Sequence, residues 1–309
     1  MGKLDGKVAV ITGGSRGLGL AIAQSYAREG AAVVLGARSE EAVQQAVADL
    51  QQEGKRVLGL VTDVSDLAQV QALADHALQS FGQLDIWVNN AGVAGVYGPT
   101  AALDPTGFEQ VMRTIMFGTY YGSLVALHAF LAQQRAGKLI NLLGRGDKQP
   151  VPFQNAYASS KAWVRHFTLA LAKEYETEKG IGIYAFNPGL VDTNLLRNVQ
   201  SVQGYEERLK LLPMIIRMWG NQPAIPAERA LWLASSATDG KTGLEISVLG
   251  PGRVARGAIR EFARKTFRRP TPASELNITL LAPSPVLHGE EGTDVAHAKE
   301  SKPSPVPNN

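Results

Sequence analysis

Short apolar segments alternate with longer segments of helical periodicity along the first 250 residues. The apolar segments of strand length are 8–11, 32–35, 57–62, 86–89, 138–143, 181–186 and 244–249. The helical segments between them are 19–30, 40–54, 67–81, 108–134, 155–179 and 226–235. Apolar strands separated by helices are typical of a parallel sheet that is buried on both faces. The pattern therefore predicts an α/β fold, a doubly wound parallel seven-stranded sheet with helices on both faces.

The length of 309 residues allows one large domain or two small ones. One domain over residues 1–250 fits the alternation better, followed by an extension over 251–269 and a tail over 270–309. Proline, serine, glutamate and asparagine are frequent in the tail, which we expect to be mostly disordered.

Residues 192–224 interrupt the alternation with an apolar segment that follows the sixth strand. An apolar stripe of this kind is often ordinary core. The alternative is a flexible substrate flap, because the carboxyl end of the preceding strand should point at the active crevice. A flap of this composition would favour a hydrophobic small-molecule substrate.

The extension over 251–269 is basic and amphipathic. Its basic residues, set against the single acid Glu261, are Arg253, Arg256, Arg260, Arg264, Lys265, Arg268 and Arg269. Apolar residues recur among them at helical spacing, which predicts a helix. Such a helix docks on its own domain or on a neighbouring subunit; peripheral contact with an anionic membrane surface is the alternative.

Composition narrows the classes of function. The chain has no cysteine, and its five histidines show no ligand spacing, so we expect no metal site. No signal segment precedes the first strand, and no uninterrupted apolar stretch reaches the roughly 18 residues of a membrane span. The net charge of +3 is too small to indicate nucleic-acid binding. We expect a cytoplasmic protein.

A glycine-rich turn, Thr12 to Gly19, joins the first strand to the first helix. Gly13 permits a tight turn, while Gly17 and Gly19 allow close approach of a pyrophosphate. The helix that begins near Gly17 would present free N–H groups to the phosphates. This Rossmann-type arrangement predicts nucleotide binding, and Ser15, Arg16 and Leu18 belong to the same turn.

The end of the second strand indicates which dinucleotide is bound. An acidic side chain at this point would hydrogen-bond the ribose hydroxyls and repel a 2′-phosphate. The chain instead reads Leu35-Gly36-Ala37-Arg38-Ser39. Arg38, Ser39 and Arg16 can supply charge and hydrogen bonds to a phosphate, so the sequence predicts NADP(H).

Five motifs occur in a characteristic order. They are Thr12-Gly13-x-x-x-Gly17-x-Gly19, Asp63-Val64, Asn89-Asn90-Ala91-Gly92, Tyr157-x-x-x-Lys161 and Asn187-Pro188-Gly189. Together they resemble the short-chain dehydrogenase/reductase family over residues 1 to about 250, the usual size of one α/β domain.

The resemblance implies a role for each motif. Asp63 and Val64 correspond to the adenine contacts, and Asn90, Ala91 and Gly92 to a turn that supports the cofactor. Tyr157 corresponds to the acid/base and Lys161 to the residue that holds the nicotinamide ribose. The loop beside the carboxamide is Pro188 to Thr193, with Pro188, Gly189, Val191 and Thr193 as candidate contacts. The resemblance also implies a homodimer or homotetramer formed through helices 108–134 and 155–179.

The chemistry of Tyr157 and Lys161 agrees with those roles. A tyrosine has an unperturbed pKa near 10, so it serves as a base at neutral pH only if a nearby cation favours the phenolate. Lys161, four residues later on the same helix face, can provide that charge together with the nicotinamide ring.

Two positions depart from the family pattern. Gly144 stands where the family has a serine that hydrogen-bonds the reacting carbonyl, and Ile115 stands where it has an asparagine. Losing one donor to a developing oxyanion typically costs about 2.7–4 kcal/mol. A backbone N–H of Gly144 or Arg145, the Arg145 side chain or a substrate hydroxyl could replace the serine, and Asp147 or Asn155 could also enter the site.

The sequence thus predicts an NADP(H)-dependent oxidoreductase that interconverts a carbonyl and an alcohol on a fairly hydrophobic molecule. The alternatives are a non-redox enzyme of lyase or dehydratase type and a catalytically impaired NADP(H)-binding sensor.

Overall fold

A computed structural model describes residues 2–266 and 276–284. Its strands are β1 (Val8–Thr12), β2 (Ala32–Ala37), β3 (Val57–Val61), β4 (Ile86–Asn89), β5 (Val96–Tyr97), β6 (Gly137–Leu142), β7 (Ile181–Asn187), β8 (Asn198–Val202), β9 (Leu244–Ser247) and β10 (Asn277–Leu281). Its α-helices are α1 (Gly17–Arg28), α2 (Glu40–Gln52), α3 (Leu67–Phe81), α4 (Pro105–Met112), α5 (Gly118–Gln133), α6 (Asn155–Glu174), α7 (Asn194–Arg197), α8 (Leu212–Trp219), α9 (Ala224–Ala234) and α10 (Pro251–Thr266). A π-helical turn, Arg113–Phe117, joins α4 to α5.

Seven strands form one sheet in the order β3-β2-β1-β4-β6-β7-β9. Each neighbouring pair is parallel. The predicted seven-stranded, doubly wound sheet is therefore confirmed. The strand order reverses between β1 and β4, and ligands of such sheets bind outside the carboxyl ends of the strands at that point.

Alternate residues of each central strand enter separate apolar layers. In β1, Ala9 and Ile11 belong to the layer that includes α1 and α9, whereas Val8 and Val10 belong to the layer that includes α3 and α5. Burial of each large aliphatic side chain stabilises the fold by about 1.5–3 kcal/mol. The continuous helical stretch Pro105–Gln133 is long and apolar enough to span a membrane, but more than half of its most apolar window is buried, as expected of a core helix.

A buried polar network connects β4 and β6 to the helices behind them. The Asn89 side chain accepts a hydrogen bond from Trp87 Nε1 (2.8 Å) and donates to Asn141 Oδ1 (2.8 Å) and to Ser123 Oγ of α5 (3.2 Å). Asn141 Nδ2 donates to Thr168 Oγ1 of α6 (3.0 Å). The network fixes α5 and α6 against the sheet immediately below the carboxyl ends of β4 and β6.

The insertion over residues 192–224 leaves and rejoins the domain at one place. Asp192 N donates to the Asn221 carbonyl oxygen (2.9 Å), and Asn221 N donates to the Leu190 carbonyl oxygen (2.7 Å). Within the insertion, β8 pairs in parallel with β5, the strand that follows the Asn90–Gly92 turn. The insertion is therefore attached to the edge of the crevice by strand pairing as well as by the chain.

Residues 276–284 lie in the tail that we expect to be mostly disordered, and the structure describes a strand there. Strand β10 pairs with β8 from Asn277 to Leu281, and Ser284 N donates to the Ala102 carbonyl oxygen (3.0 Å). The composition of the tail does not predict this strand, because β10 is stabilised by backbone pairing with an open edge of β8. Residues 267–275 and 285–309 lie outside the described residues.

Candidate active site

The glycine turn after β1 forms a narrow cradle. Gly13 and Gly17 have positive φ angles of 64° and 57°. A Cβ at Gly13 would lie 2.9 Å from Ala91 Cα, and one at Gly19 would overlap the Gly13 carbonyl oxygen. Helix α1 begins at Gly17 without a side-chain cap, so its first N–H groups remain available to an anion. The cradle fits a dinucleotide pyrophosphate.

Contacts from two other strand ends support this turn. Asn90 Nδ2 donates to the carbonyl oxygens of Thr12 (2.9 Å) and Gly13 (3.1 Å), and the N–H groups of Asn90 and Ala91 both donate to Thr12 Oγ1. After β7, Thr193 Cγ2 lies 3.3 Å from a Cβ placed on Gly17. The predicted cofactor residues after β1, β4 and β7 therefore meet in one crevice.

The turn residues and the carboxamide-loop residues have different surroundings. Arg16 is exposed, Ser15 is partly buried, and Leu18 packs in the core. In the loop after β7, Gly189 N donates to Asn187 Oδ1 (2.9 Å). Pro188 is buried, while Val191 and Thr193 are partly buried, as is Gly92 of the turn after β4.

The residues predicted to contact the adenosine end lie at the ends of the adjacent strands β2 and β3. Arg38 is exposed and has no hydrogen bond or ion pair with any described residue. Ser39 Oγ accepts from Ala42 N (3.3 Å) and caps α2. Asp63 Oδ1 accepts hydrogen bonds from Ser65 N (2.9 Å) and Ser65 Oγ (2.7 Å). Neither of these bonds uses Asp63 Oδ2. Val64 is buried.

Tyr157 and Lys161 occupy the N-terminal half of α6, beside the end of β6. Lys161 Nζ donates to the Leu142 carbonyl oxygen (2.8 Å) and lies 5.8 Å from the centroid of the Tyr157 ring. The Tyr157 hydroxyl makes no hydrogen bond within residues 2–266 and 276–284, so it remains available to a ligand.

Burial dominates the electrostatics of this pair in the protein without its cofactor. Burial raises the pKa of Tyr157 to about 12, and the nearby Asp147 carboxylate acts in the same direction. Burial lowers the pKa of Lys161 to about 8, an effect that Asp147 partly opposes. Lys161 therefore does not lower the pKa of Tyr157 below its ordinary value in the protein alone, because the effect of burial is larger. The Lys161 ammonium group donates its hydrogen bond to the Leu142 carbonyl oxygen and not to the phenol. Tyr157 is protonated at neutral pH.

Gly144 is in direct contact with the catalytic tyrosine candidate. A Cβ at Gly144 would overlap Tyr157 Oη and would lie 3.3 Å from Tyr157 Cζ. The space that a serine side chain would need is thus occupied by the Tyr157 hydroxyl.

The charged loop after β6 contributes Asp147 and not Arg145. Asp147 Oδ2 accepts from Asn187 Nδ2 (2.8 Å), and Asp147 N donates to the Gly144 carbonyl oxygen (3.2 Å). The Arg145 side chain is exposed, and Asn155 Nδ2 donates to Thr100 Oγ1 (2.6 Å). The pairing of Asp147 with Asn187 was not predicted from the sequence, although the two residues lie near the carboxyl ends of the neighbouring parallel strands β6 and β7.

Ile115 lies within the π-helical turn between α4 and α5. Its side chain is buried in an apolar cluster with Val111, Leu143 and Val164, against which Tyr157 also packs. The π-helical turn is therefore present without an asparagine, and the Ile115 side chain offers no polar group to Lys161.

Comparison with known proteins places this geometry in a family. A profile described as short chain dehydrogenase matches residues 7–204, more than half of the chain. The 3beta-hydroxysteroid dehydrogenase 1 of Eggerthella lenta is 35% identical over 248 residues, which are 80% of this chain and 94% of that protein.

Two solved structures are also similar. A 3-ketoacyl-(acyl-carrier-protein) reductase from Brucella melitensis, complexed with NADH, gives a TM-score of 0.71 at 29% identity and covers 81% of this chain and 99% of its own. A gluconate 5-dehydrogenase from Burkholderia cenocepacia, in complex with NADP and tartrate, gives 0.70 at 28% identity and covers 82% and 96%. Profile, relatives and fold agree that the chain belongs to the short-chain dehydrogenase family of oxidoreductases.

Proposed function

We propose that the protein is an NADP(H)-dependent oxidoreductase that interconverts a carbonyl and an alcohol on a fairly hydrophobic small molecule. One observation carries the proposal. The unpaired hydroxyl of Tyr157 lies against Gly144 with Lys161 buried beside it, in the same crevice as the uncapped glycine turn. A proton donor next to a nicotinamide site is what carbonyl reduction requires.

Besides the residues after β2, the cofactor would be held by residues from four strand ends and by Lys161 of α6. Gly13, Ser15, Arg16, Gly17, Leu18 and Gly19 would hold the pyrophosphate, with the turn at Asn90–Gly92 behind it. Asp63 and Val64 would contact the adenine, while Lys161 and the loop at Pro188–Thr193 would bind the nicotinamide end. When bound, the nicotinamide supplies or accepts the hydride.

The preference for NADP(H) rests on this chain's own residues, because the two solved neighbours contain different dinucleotides. Ala37 ends β2, so no carboxylate stands where one would bind the ribose hydroxyls. Arg38 has no partner among the described residues and is available to a 2′-phosphate. The Ser39 hydroxyl accepts a cap bond but can still donate its own proton.

The proton chemistry favours reduction. With its pKa raised to about 12, Tyr157 is a proton donor at neutral pH and a base only in alkaline solution or when a further cation binds. The Asp147 carboxylate, which accepts a hydrogen bond from Asn187, adds to the effect of burial on the pKa of Tyr157. Because Asp147 is partly exposed, it also offers a polar route between Tyr157 and solvent.

The surroundings of Tyr157 support a hydrophobic substrate. Val93 and Phe108 pack with Ile115 on the cluster that Tyr157 contacts. Phe153, four residues before Tyr157, lies 5.6 Å from the ring of Tyr97 and 5.7 Å from that of Tyr205 in the insertion. These three rings connect β5, the loop before α6 and the insertion, which supports an apolar wall on this side of the crevice. The Eggerthella relative is named for a steroid substrate.

Assembly and location are also proposals. Phe117 and Tyr120 are exposed on the helix 105–133, and Trp163 stacks on Phe167 of α6 at 4.8 Å. An exposed aromatic patch of this kind is typical of an interface, which supports a homodimer or homotetramer through these helices. We place the protein in the cytoplasm.

Replacing Tyr157 with phenylalanine tests the function directly. We expect apolar ketones and aldehydes to accelerate NADPH oxidation, and Tyr157→Phe to lower kcat by about 100-fold or more, because a positioned acid contributes about 10²–10⁴. NADPH affinity should be retained, and Tyr120→Phe is the matched control. NADPH binding without any carbonyl-dependent oxidation would favour the sensor, and full turnover by Tyr157→Phe would exclude tyrosine catalysis.

Arg38→Ala should weaken NADPH binding by about 10- to 100-fold, since hydrogen bonds to charged groups contribute about 1.5–3 kcal/mol. NADH affinity should be unchanged, because NADH lacks the 2′-phosphate. Fluorescence titration of both dinucleotides measures the effect, and Arg28→Ala on the exposed end of α1 is the control. Equal losses for the two dinucleotides would show that Arg38 does not read the phosphate.

Asp147→Asn should move the alkaline decline of reductase activity toward lower pH. The Asp147 carboxylate raises the pKa of both Tyr157 and Lys161, so removing its charge lowers both values. Lys161 then loses its proton at a lower pH. Profiles of kcat/KM across neutral and alkaline pH measure the shift, with Asp75→Asn on α3 as control, and a shift to higher pH would contradict the assignment.

Gly144→Ala should destabilise the protein by about 1–3 kcal/mol, because the new methyl group overlaps the Tyr157 hydroxyl. The cost should be smaller in a Tyr157→Phe background, where that oxygen is missing. Urea unfolding of the double-mutant cycle measures the coupling, with Gly107→Ala in α4 as control. Strict additivity would show that the two groups do not touch.

A further inference from the structure

Helix α10 contacts the domain through polar groups. Gly257 packs closely on α8, where a Cβ would overlap the Met218 carbonyl oxygen and lie 2.8 Å from Trp219 Cδ1. One turn later, Glu261 is buried and its Oε1 lies 3.7 Å from Arg217 Nη2. Arg260 Nη2 donates to the Arg217 carbonyl oxygen (2.6 Å). Among the residues of α10 whose side chains the structure describes, those that meet the domain are thus a glycine and charged residues.

Two large apolar side chains of α10, Ile259 and Phe262, point away from the domain. Ile259 and Phe262 are 68% and 73% exposed, the highest values among the exposed large apolar residues of the described chain. Residues three apart lie on one side of a helix, so the two form a single outward patch. An amphipathic helix normally turns its apolar side toward the core. Ile259 and Phe262 of α10 do the opposite.

The stretch that contains α10 has a large excess of positive charge. The sequence from 253 to 269 has seven basic residues and one acid, a net charge of +6. The one acid, Glu261, faces the domain and is paired with Arg217. Arg256 is exposed and makes no hydrogen bond or ion pair with a described residue.

We propose that α10 is a docking surface for an anionic lipid bilayer, with Ile259 and Phe262 inserted at the interface and Arg256 beside the lipid phosphates. Apolar burial and attraction to anionic headgroups together hold a helix of this kind on a membrane. A second copy of the chain is a poorer partner for this patch, because it would place a second basic helix against the first.

The docking surface lies next to the insertion. A cavity of about 230 Å³ at the junction of α8 and α10 is lined by Met218, Trp219, Ile225 and Leu249 together with Arg256 and Arg260. Leu249 Cβ lies 3.2 Å from a Cβ placed on Gly189 of the loop that borders the crevice. A bilayer bound at α10 would therefore contact the side of the molecule where residues 192–224 flank the site. The docking itself does not depend on the proposed reaction.

Vesicle sedimentation of the full chain tests the proposal. We expect binding to vesicles of phosphatidylcholine with phosphatidylglycerol, little binding to phosphatidylcholine alone, and release when salt is raised from about 0.1 M to about 1 M, where the Debye length falls from about 10 to about 3 Å. Ile259→Ser combined with Phe262→Ser should lower the partition coefficient roughly tenfold or more. Arg256→Gln should lower it roughly fivefold at low salt.

Controls separate this surface from general stickiness. Val61→Ser removes an exposed apolar side chain from β3, at the opposite edge of the sheet, and should bind vesicles as the unaltered protein does. Equal binding to both vesicle types, or unchanged binding of the Ile259/Phe262 variant, would overturn the proposal. The proposal would also be overturned if the Ile259/Phe262 variant bound vesicles normally but formed a smaller oligomer in analytical ultracentrifugation, because the patch would then belong to an interface with a second copy. Thermal unfolding and NADPH binding of each variant verify that the fold is intact.

Discussion

The hydrogen bond between the Asn89 and Asn141 side chains fixes the part of the fold on which the site depends. It joins β4 to β6 where the crevice begins, and both side chains are buried. Ser123 and Thr168 extend the network to α5 and α6. Loss of one partner would leave a buried polar group unsatisfied, at a cost of about 1–3 kcal/mol. Thr168 lies two turns after Lys161, so the network that aligns the strands also sets the position of Tyr157 and Lys161.

The contact between Gly144 and Tyr157 shows how one missing side chain changes the chemistry of its neighbours. Because Gly144 has no Cβ, the Tyr157 hydroxyl can lie against the backbone just after β6, and burial raises the pKa of Tyr157. Lys161 is desolvated too and donates to Leu142, so the pair favours a neutral phenol. Tyr157 packs against the apolar cluster that contains Ile115, whereas the nearby charge that raises its pKa is that of Asp147, in the loop after β6.

The regular part of the fold could be predicted because its signals are local. Short unbroken apolar segments such as 32–35 and 181–186 are typical of buried strands. The glycine turn identifies the strand at which the crevice begins. The partnership of Asp147 with Asn187 requires knowing that β6 and β7 are neighbours, which no local pattern states. The two-residue strand β5 and the strand β10 depend on pairing with β8, so neither has a sequence signal of its own. The pKa of Tyr157 depends on burial, which the spacing of Tyr157 and Lys161 does not reveal.

Both sides of the insertion are in contact with the C-terminal part of the chain. Strand β10 pairs with β8 along five residues, and α10 packs on α8 through Gly257 and Glu261. These C-terminal residues lie outside the family match at 7–204. Residues 192–224 are therefore restrained by two elements that the family pattern does not specify, while Val191 and Asn221 hold their base. Because the same insertion supplies Tyr205 to the aromatic wall of the crevice, the position of that wall depends on the C-terminal elements as well as on the sheet.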